Sequence, residues 1–162
     1  MNLLYLLIGG NLGNRNENLS IAKDSIEKEL GKMITSSSIY QTASWGITEQ
    51  PDFLNQVLLV TTKFSAEESM QIILSIENKM GRIRTLKNAS RIIDIDILFF
   101  NYEIINSQNL TIPHPEIQNR KFALIPLNEI APDLMHPVFK RSIKNLLSTS
   151  KDELEVKPLG NL

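Results

Sequence analysis

The 162-residue chain has the length of one domain, and an apolar share of 42% is enough for a real core. A formal net charge of −1 gives no basic footprint for nucleic acid and no acidic tail. The absence of cysteine excludes disulfides and thiolate zinc sites and fits a cytoplasmic protein.

Asn2–Ile8 is a short apolar run closed by Gly9-Gly10 and predicts a buried strand. It is too short to span a bilayer and lacks the basic start of a signal peptide, so no membrane partner is expected. Gly9-Gly10-Asn11-Leu12-Gly13 has two readings. As a phosphate loop it lacks the Lys-Ser/Thr ending and the third glycine of a dinucleotide fingerprint; a tight strand-to-helix turn fits better. Leu19, Ala22, Ile26 and Leu30 follow helical spacing, and Gly31 stops the helix. Met33–Tyr40 predicts a second strand, and Thr42–Asp52 a long loop of the kind that often binds ligands.

Phe53–Phe64 predicts a third strand, with Phe53, Asn55, Val57, Leu59 and Thr61 on one face. Asn55 on that face needs hydrogen-bond partners, either backbone or a ligand. Ser65-Ala66-Glu67-Glu68 is a capping box, and Met70, Ile73, Ile76 and Met80 carry the helix on to Gly81. Glu77 lies one position from that stripe. Arg82 and Arg84 follow at the C-terminal end, where cations are favoured for structural reasons alone.

Ile92–Phe100 predicts the next strand. Asp94 and Asp96 share one face, and Ile93, Ile95, Ile97 and Phe99 the other. Adjacent carboxylates on a strand call for a counter-charge, which a hard cation such as magnesium supplies. Arg82, Arg84 and Arg91 upstream suit phosphate oxygens. The ordinary alternative is a polar outer face with weak surface ion pairs.

Beyond it, Leu110–Pro115 must be extended, with His114 held between two prolines. Phe122–Ile130 predicts a helix interrupted by Pro126. Ile143, Leu146 and Leu147 predict a last short helix, and Lys151–Leu162 a loose polar tail. His136 is given no function. The expected fold class is α+β: one domain over 1–162, a ferredoxin-like βαββαβ core, an antiparallel-rich sheet with helices on one face, and C-terminal additions.

The segments IGGNLGNRNENL, SSIYQTASWG, QPDFLNQV, IENKMGRIR, RIIDIDILFF and LTIPHPEIQNRKFALIPLNEIAPDLMHP occur in this order. In these the chain resembles the 6-hydroxymethyl-7,8-dihydropterin pyrophosphokinase family of folate biosynthesis. The resemblance implies transfer of pyrophosphate from ATP to the pterin hydroxymethyl group, with release of AMP. It implies two magnesium ions on Asp94 and Asp96, with Arg82 and Arg91 on the phosphates and Arg91 close to the group in flight. The pterin ring would lie between Phe53 and Phe122, read by Asn55, with the backbone of Thr42, Ala43, Trp45 and Gly46 completing the pocket. Glu77, Arg84, Ile97, Thr111, His114 and Arg120 would line the ATP side. The expected enzyme is a cytoplasmic monomer whose partners are ATP and a small pterin.

Three features depart from the family's pattern. Gly10 stands where Ser is usual. Phe53 replaces a frequent Tyr. The Thr85–Ser90 loop lacks the Trp and the Gly/Pro pair often found there, and Lys87 is its one cation. The competing reading is a ligand-binding or regulatory module of the same shape without turnover.

Overall fold

The computed structural model describes residues 1–43, 51–82 and 90–160. The expectations for Trp45, Gly46, Arg84 and Lys87 lie outside the described residues. The chain is mixed α and β, built on an antiparallel sheet. Strand β1 (Asn2–Gly10) leads into helix α1 (Arg15–Glu29), whose first turn is capped by Asn14 accepting from the Glu17 N–H. Leu19, Ala22 and Ile26 form its buried face, as the spacing predicts.

The predicted strand over 33–40 is divided into β2 (Lys32–Ser36) and β3 (Tyr40–Thr42). Both pair with different lengths of β4 (Phe53–Thr62). The division has a side-chain cause. Ser37 Oγ accepts the Val57 N–H at 3.0 Å, so a hydroxyl takes a place that a strand carbonyl would otherwise fill. Periodicity carries no trace of that substitution.

Helix α2 (Ala66–Lys79) begins with the predicted capping box of Ser65 and Glu68. It ends in a Schellman motif. Gly81 has a positive φ of 85°, its N–H donates to the Asn78 carbonyl, and the Arg82 N–H donates to the Glu77 carbonyl. Glycine allows that left-handed turn, which folds Arg82 back over Glu77.

Strand β5 (Asp94–Phe100) pairs with β1 at the end of the order β5–β1–β4–β3, and β8 (Val156–Pro158) extends β3. The stretch expected to be a loose tail therefore contributes a paired strand. A bulge in the β1–β5 register places Phe99 opposite Tyr5 but Ile97 opposite Leu6. The extra residue resets the alternation. Ile93, Ile95 and Ile97 stay in the first core, as expected, while Phe99 turns with Leu98 into the second.

That second core corrects the expectation of helices on one face. Helices α1 and α2 cover one side of the sheet. Helices α3 (Lys121–Ile130) and α4 (Ile143–Ser148) cover the other, against Leu7, Val57 and Phe99. Helix α3 runs through Pro126 without a break. Proline withholds one N–H, and its neighbours Ala123, Leu124 and Leu127 are anchored in the core. Strands β6 (Ile105–Asn106) and β7 (Thr111–Ile112) form a separate hairpin that leads to His114.

Candidate active site

The site forms on the sheet face shared with α3. In the sheet register, Asn55, Gly9 and Asp94 lie side by side across β4, β1 and β5. The next row on that face is Val57, Leu7 and Asp96. Gly9 has no side chain, which leaves room for the Asn55 carboxamide to lie over it. Around it lies a cavity open to solvent, lined by residues of β1, β4, β5 and α3.

One wall is apolar. Phe53, the first residue of β4, and Phe122, in the first turn of α3, both line the cavity. Arg91 lies over the Phe53 ring at 5.3 Å, and Arg120 over the Phe122 ring at 5.5 Å. Tyr40 Oη donates to Glu129 Oε1 at 2.6 Å and ties β3 to α3, which holds the two aromatic walls in place. Thr42 and Ala43 complete that end. Thr42 is 3% exposed and Asn55 is buried, and among the described residues neither the Thr42 hydroxyl nor the Asn55 amide has a hydrogen-bond partner. Two buried polar groups with unused capacity facing one cavity fit a polar, flat ligand.

The opposite wall is charged. Asp94 accepts from Arg82, whose guanidinium also reaches Glu77 Oε2 at 3.0 Å and the Ile93 carbonyl at 3.2 Å. Arg91 Nη1 donates to the other oxygen of Asp94 at 3.1 Å. Glu77 is buried beneath this pair, and its Oε2 also accepts the Ile95 N–H at the open edge of β5. Burial works to lower the Arg82 pKa, but Asp94 and Glu77 outweigh it and hold the guanidinium charged.

Asp96 stands apart from these ion pairs. Among the described residues its carboxylate has no hydrogen-bond donor. Burial, then Asp94 and Glu77, push its pKa up to about 7, against Arg120 and Arg82. Among the described residues no group of three or more His, Cys, Asp or Glu side chains could hold a metal. Asp94 and Asp96 are the two carboxylates that could offer oxygens to a cation in the cavity. Asp94 retains lone pairs beyond those taken by its arginines. Two hard oxygen donors with the remaining positions open to water and phosphate match magnesium better than zinc.

His114 and Arg120 share a smaller hollow with Asp96. The His114 N–H donates to the Leu98 carbonyl at 3.0 Å, and its Nδ1 accepts the Glu116 N–H at 3.1 Å. Burial, then Arg120, lowers its pKa. Because Nδ1 accepts the Glu116 N–H, the ring proton belongs on Nε2.

Of the site residues expected from sequence, Thr42, Ala43, Phe53, Asn55, Arg91, Asp94, Asp96, Arg120 and Phe122 meet in the main cavity. Arg82 and Glu77 support it from behind Asp94. The Ile97 side chain is not brought there. It lies in the first core, 3% exposed. Thr111 is exposed on β7 and does not line the cavity. The reading from sequence missed Leu7 and Gly9 as lining and Asn11 as a brace. The available signal was two successive glycines ending a buried strand, which mark a close approach of something else.

The profile of the family 7,8-dihydro-6-hydroxymethylpterin-pyrophosphokinase (HPPK) matches residues 5–132. The chain is similar to 2-amino-4-hydroxy-6-hydroxymethyldihydropteridine pyrophosphokinase of Aquifex aeolicus, with 34% identity over 98% of this chain and 96% of that protein. Its counterpart in Haemophilus influenzae is 37% identical over 82% of this chain and 84% of that protein. Folic acid synthesis protein FOL1 of Dictyostelium discoideum is 35% identical over 99% of this chain, which spans 23% of that protein's length. The fold is similar to a crystal structure of Plasmodium falciparum HPPK-DHPS, with a TM-score of 0.75 at 20% identity, over 91% of this chain and 43% of that one.

Proposed function

The chain belongs to the 7,8-dihydro-6-hydroxymethylpterin-pyrophosphokinase family, and from that membership we propose that it transfers pyrophosphate from ATP to 6-hydroxymethyl-7,8-dihydropterin in folate biosynthesis. The observation that carries this reading is one cavity with Phe53, Phe122 and Asn55 on one side and Asp94, Asp96 and Arg91 on the other. A flat heterocycle and a polyphosphate need those two walls together.

In the reaction the pterin hydroxymethyl oxygen bonds to the β-phosphorus of ATP. The bond from that phosphorus to the oxygen shared with the α-phosphorus breaks. AMP leaves with that oxygen, and the hydroxyl proton passes to water. The chain's part is positioning and charge. Phe53 and Phe122 sandwich the ring, and Asn55 and the Thr42 hydroxyl meet its polar edge. Arg91 and Arg120 leave their aromatic rings to grip phosphate oxygens, with Arg91 nearest the transferred group. Arg82, held by Glu77, keeps Asp94 aimed at the cavity.

Asp94 and Asp96 would hold magnesium, which neutralises charge on the triphosphate and lowers the pKa of a coordinated hydroxyl. His114 offers its Nε2 proton as a donor on the ATP side. Ile97 reaches the nucleotide through its backbone, at the open edge of β5 between the groups taken by Glu77 and His114. Thr111, Arg84, Trp45 and Gly46 keep the roles that the resemblance implies. The pairing order of the sheet supports a ferredoxin-like core, and 1–162 is read as one domain acting as a cytoplasmic monomer. Among the described residues no helix is long and apolar enough to cross a membrane.

Chromatographic detection of AMP and pterin diphosphate from ATP, magnesium and the hydroxymethyl pterin tests this reading. Formation of both in equal amounts is expected. Binding of both substrates without AMP would make the chain a binding module instead.

A further inference from the structure

We propose that Asn11 is a positioning residue that sets Arg91 against the reacting phosphate and ties it to the pterin wall. The inference rests on the pyrophosphokinase reading above and adds a residue outside the cavity to it.

Asn11 follows the two glycines of β1 and is 2% exposed. A buried carboxamide must satisfy two donors and an acceptor. Asn11 uses all of them on segments that carry the site. Its Oδ1 accepts the Arg91 N–H at 2.8 Å. Its Nδ2 donates to the Pro51 carbonyl at 3.0 Å and to Ser90 Oγ at 3.2 Å. Its own N–H donates to the Arg91 carbonyl at 2.9 Å. Arg91 is thus held at both its N–H and its carbonyl by one residue. Pro51 lies two positions before Phe53, the ring on which Arg91 rests.

Gly10 completes the device. A Cβ there would lie 2.2 Å from the Ile92 carbonyl oxygen and 3.1 Å from that of Arg91. In this chain the absence of a side chain at Gly10 lets the 91–92 backbone come close enough for Asn11 to grip it. The turn read as simple punctuation therefore fixes the position of an arginine 80 residues away in sequence.

A thermodynamic cycle tests this. Asn11→Ala and Arg91→Ala are made singly and together, and kcat, both KM values and ATP-analogue affinity are measured on folded protein. If Asn11 acts through Arg91, Asn11→Ala lowers kcat by about tenfold or more alone. In the Arg91→Ala background it then lowers kcat by less than about twofold. An equal fold-loss in both backgrounds, or unchanged kcat in Asn11→Ala, overturns the inference.

Asn11→Asp keeps the acceptor for Arg91 and loses the donation to Pro51. It is expected to hold kcat within about fivefold while raising the pterin KM. Loss of kcat with an unchanged pterin KM overturns the inference even if Asn11→Ala fails to fold. Absence of AMP from the wild type would instead refute the pyrophosphokinase reading. The ATP-analogue affinities of the cycle would still report on Asn11 and Arg91.

Discussion

A methyl group placed on Gly9 would lie 2.1 Å from Oδ1 of Asn55. The floor of the cavity and the orientation of its carboxamide are therefore one feature. Gly9→Ala must displace Asn55 or the strand beneath it. The expected result is pterin binding weakened by about 1–3 kcal/mol, the cost of losing a buried polar contact, with ATP-analogue affinity little changed. Calorimetry on both ligands measures this. Unchanged pterin affinity would remove Asn55 from recognition.

Asp96 makes stability depend on pH in a defined direction. Its carboxyl titrates at 3.8 in the unfolded chain and at about 7 in the folded one. The folded state holds the proton more tightly. The contribution of Asp96 to stability is full below 3.8, falls as pH rises, and is lost above about 7. In chelator-treated protein, melting temperature is expected to decline across that window, and more steeply than in Asp96→Asn. Magnesium must displace the proton, so its stabilising effect grows from acid to neutral pH. Melts with and without magnesium, for both proteins, measure this. A magnesium effect equal at both ends of the window would contradict it.

Glu77 helps raise the Asp96 pKa and also anchors Arg82. Glu77→Gln keeps an acceptor for the Ile95 N–H but loses the charge. Stability is expected to fall by about 1–3 kcal/mol, as for hydrogen bonds to charged partners. The pH at which magnesium begins to stabilise moves down, because one of the charges opposing Asp96 ionisation is gone. Denaturant titrations and the same melts read both effects. An unchanged midpoint would place Glu77 outside the electrostatics of the site.

Arg91 joins Asp94 to Phe53 through an ion pair and a ring contact. Arg91→Ala is expected to raise the barrier by about 3 kcal/mol, roughly a hundredfold in kcat, with a smaller change in ATP affinity. Single-turnover kinetics separate the two. Weaker ATP binding at an unchanged rate would confine Arg91 to holding the ground state.

The elements that position this chemistry are legible where local rules decide them. Strand β1, both long helices and the capping box at Ser65 follow from periodicity and end chemistry. So does the shared orientation of Asp94 and Asp96, because two residues on a strand fix it. The rest depends on contacts distant in sequence. Ser37 interrupts a strand only because the Val57 N–H lies opposite its hydroxyl. The bulge that turns Phe99 into the second core is set by pairing with β1. Strand β8 exists because β3 offers a free edge. Asn11 looked like a turn residue because its partners lie 40 and 80 positions away.

In the proposed reaction the neighbouring carboxylates of β5, Asp94 and Asp96, would hold divalent cations for a nucleotide beside the aromatic slot. The most direct measurement is electron paramagnetic resonance of manganese, a spectroscopically visible replacement for magnesium. It is added with ATP whose α–β bridge is a methylene. Manganese immobilised by the wild type and released in Asp96→Asn is the predicted result. Equal immobilisation in both proteins would show that the ions are held elsewhere.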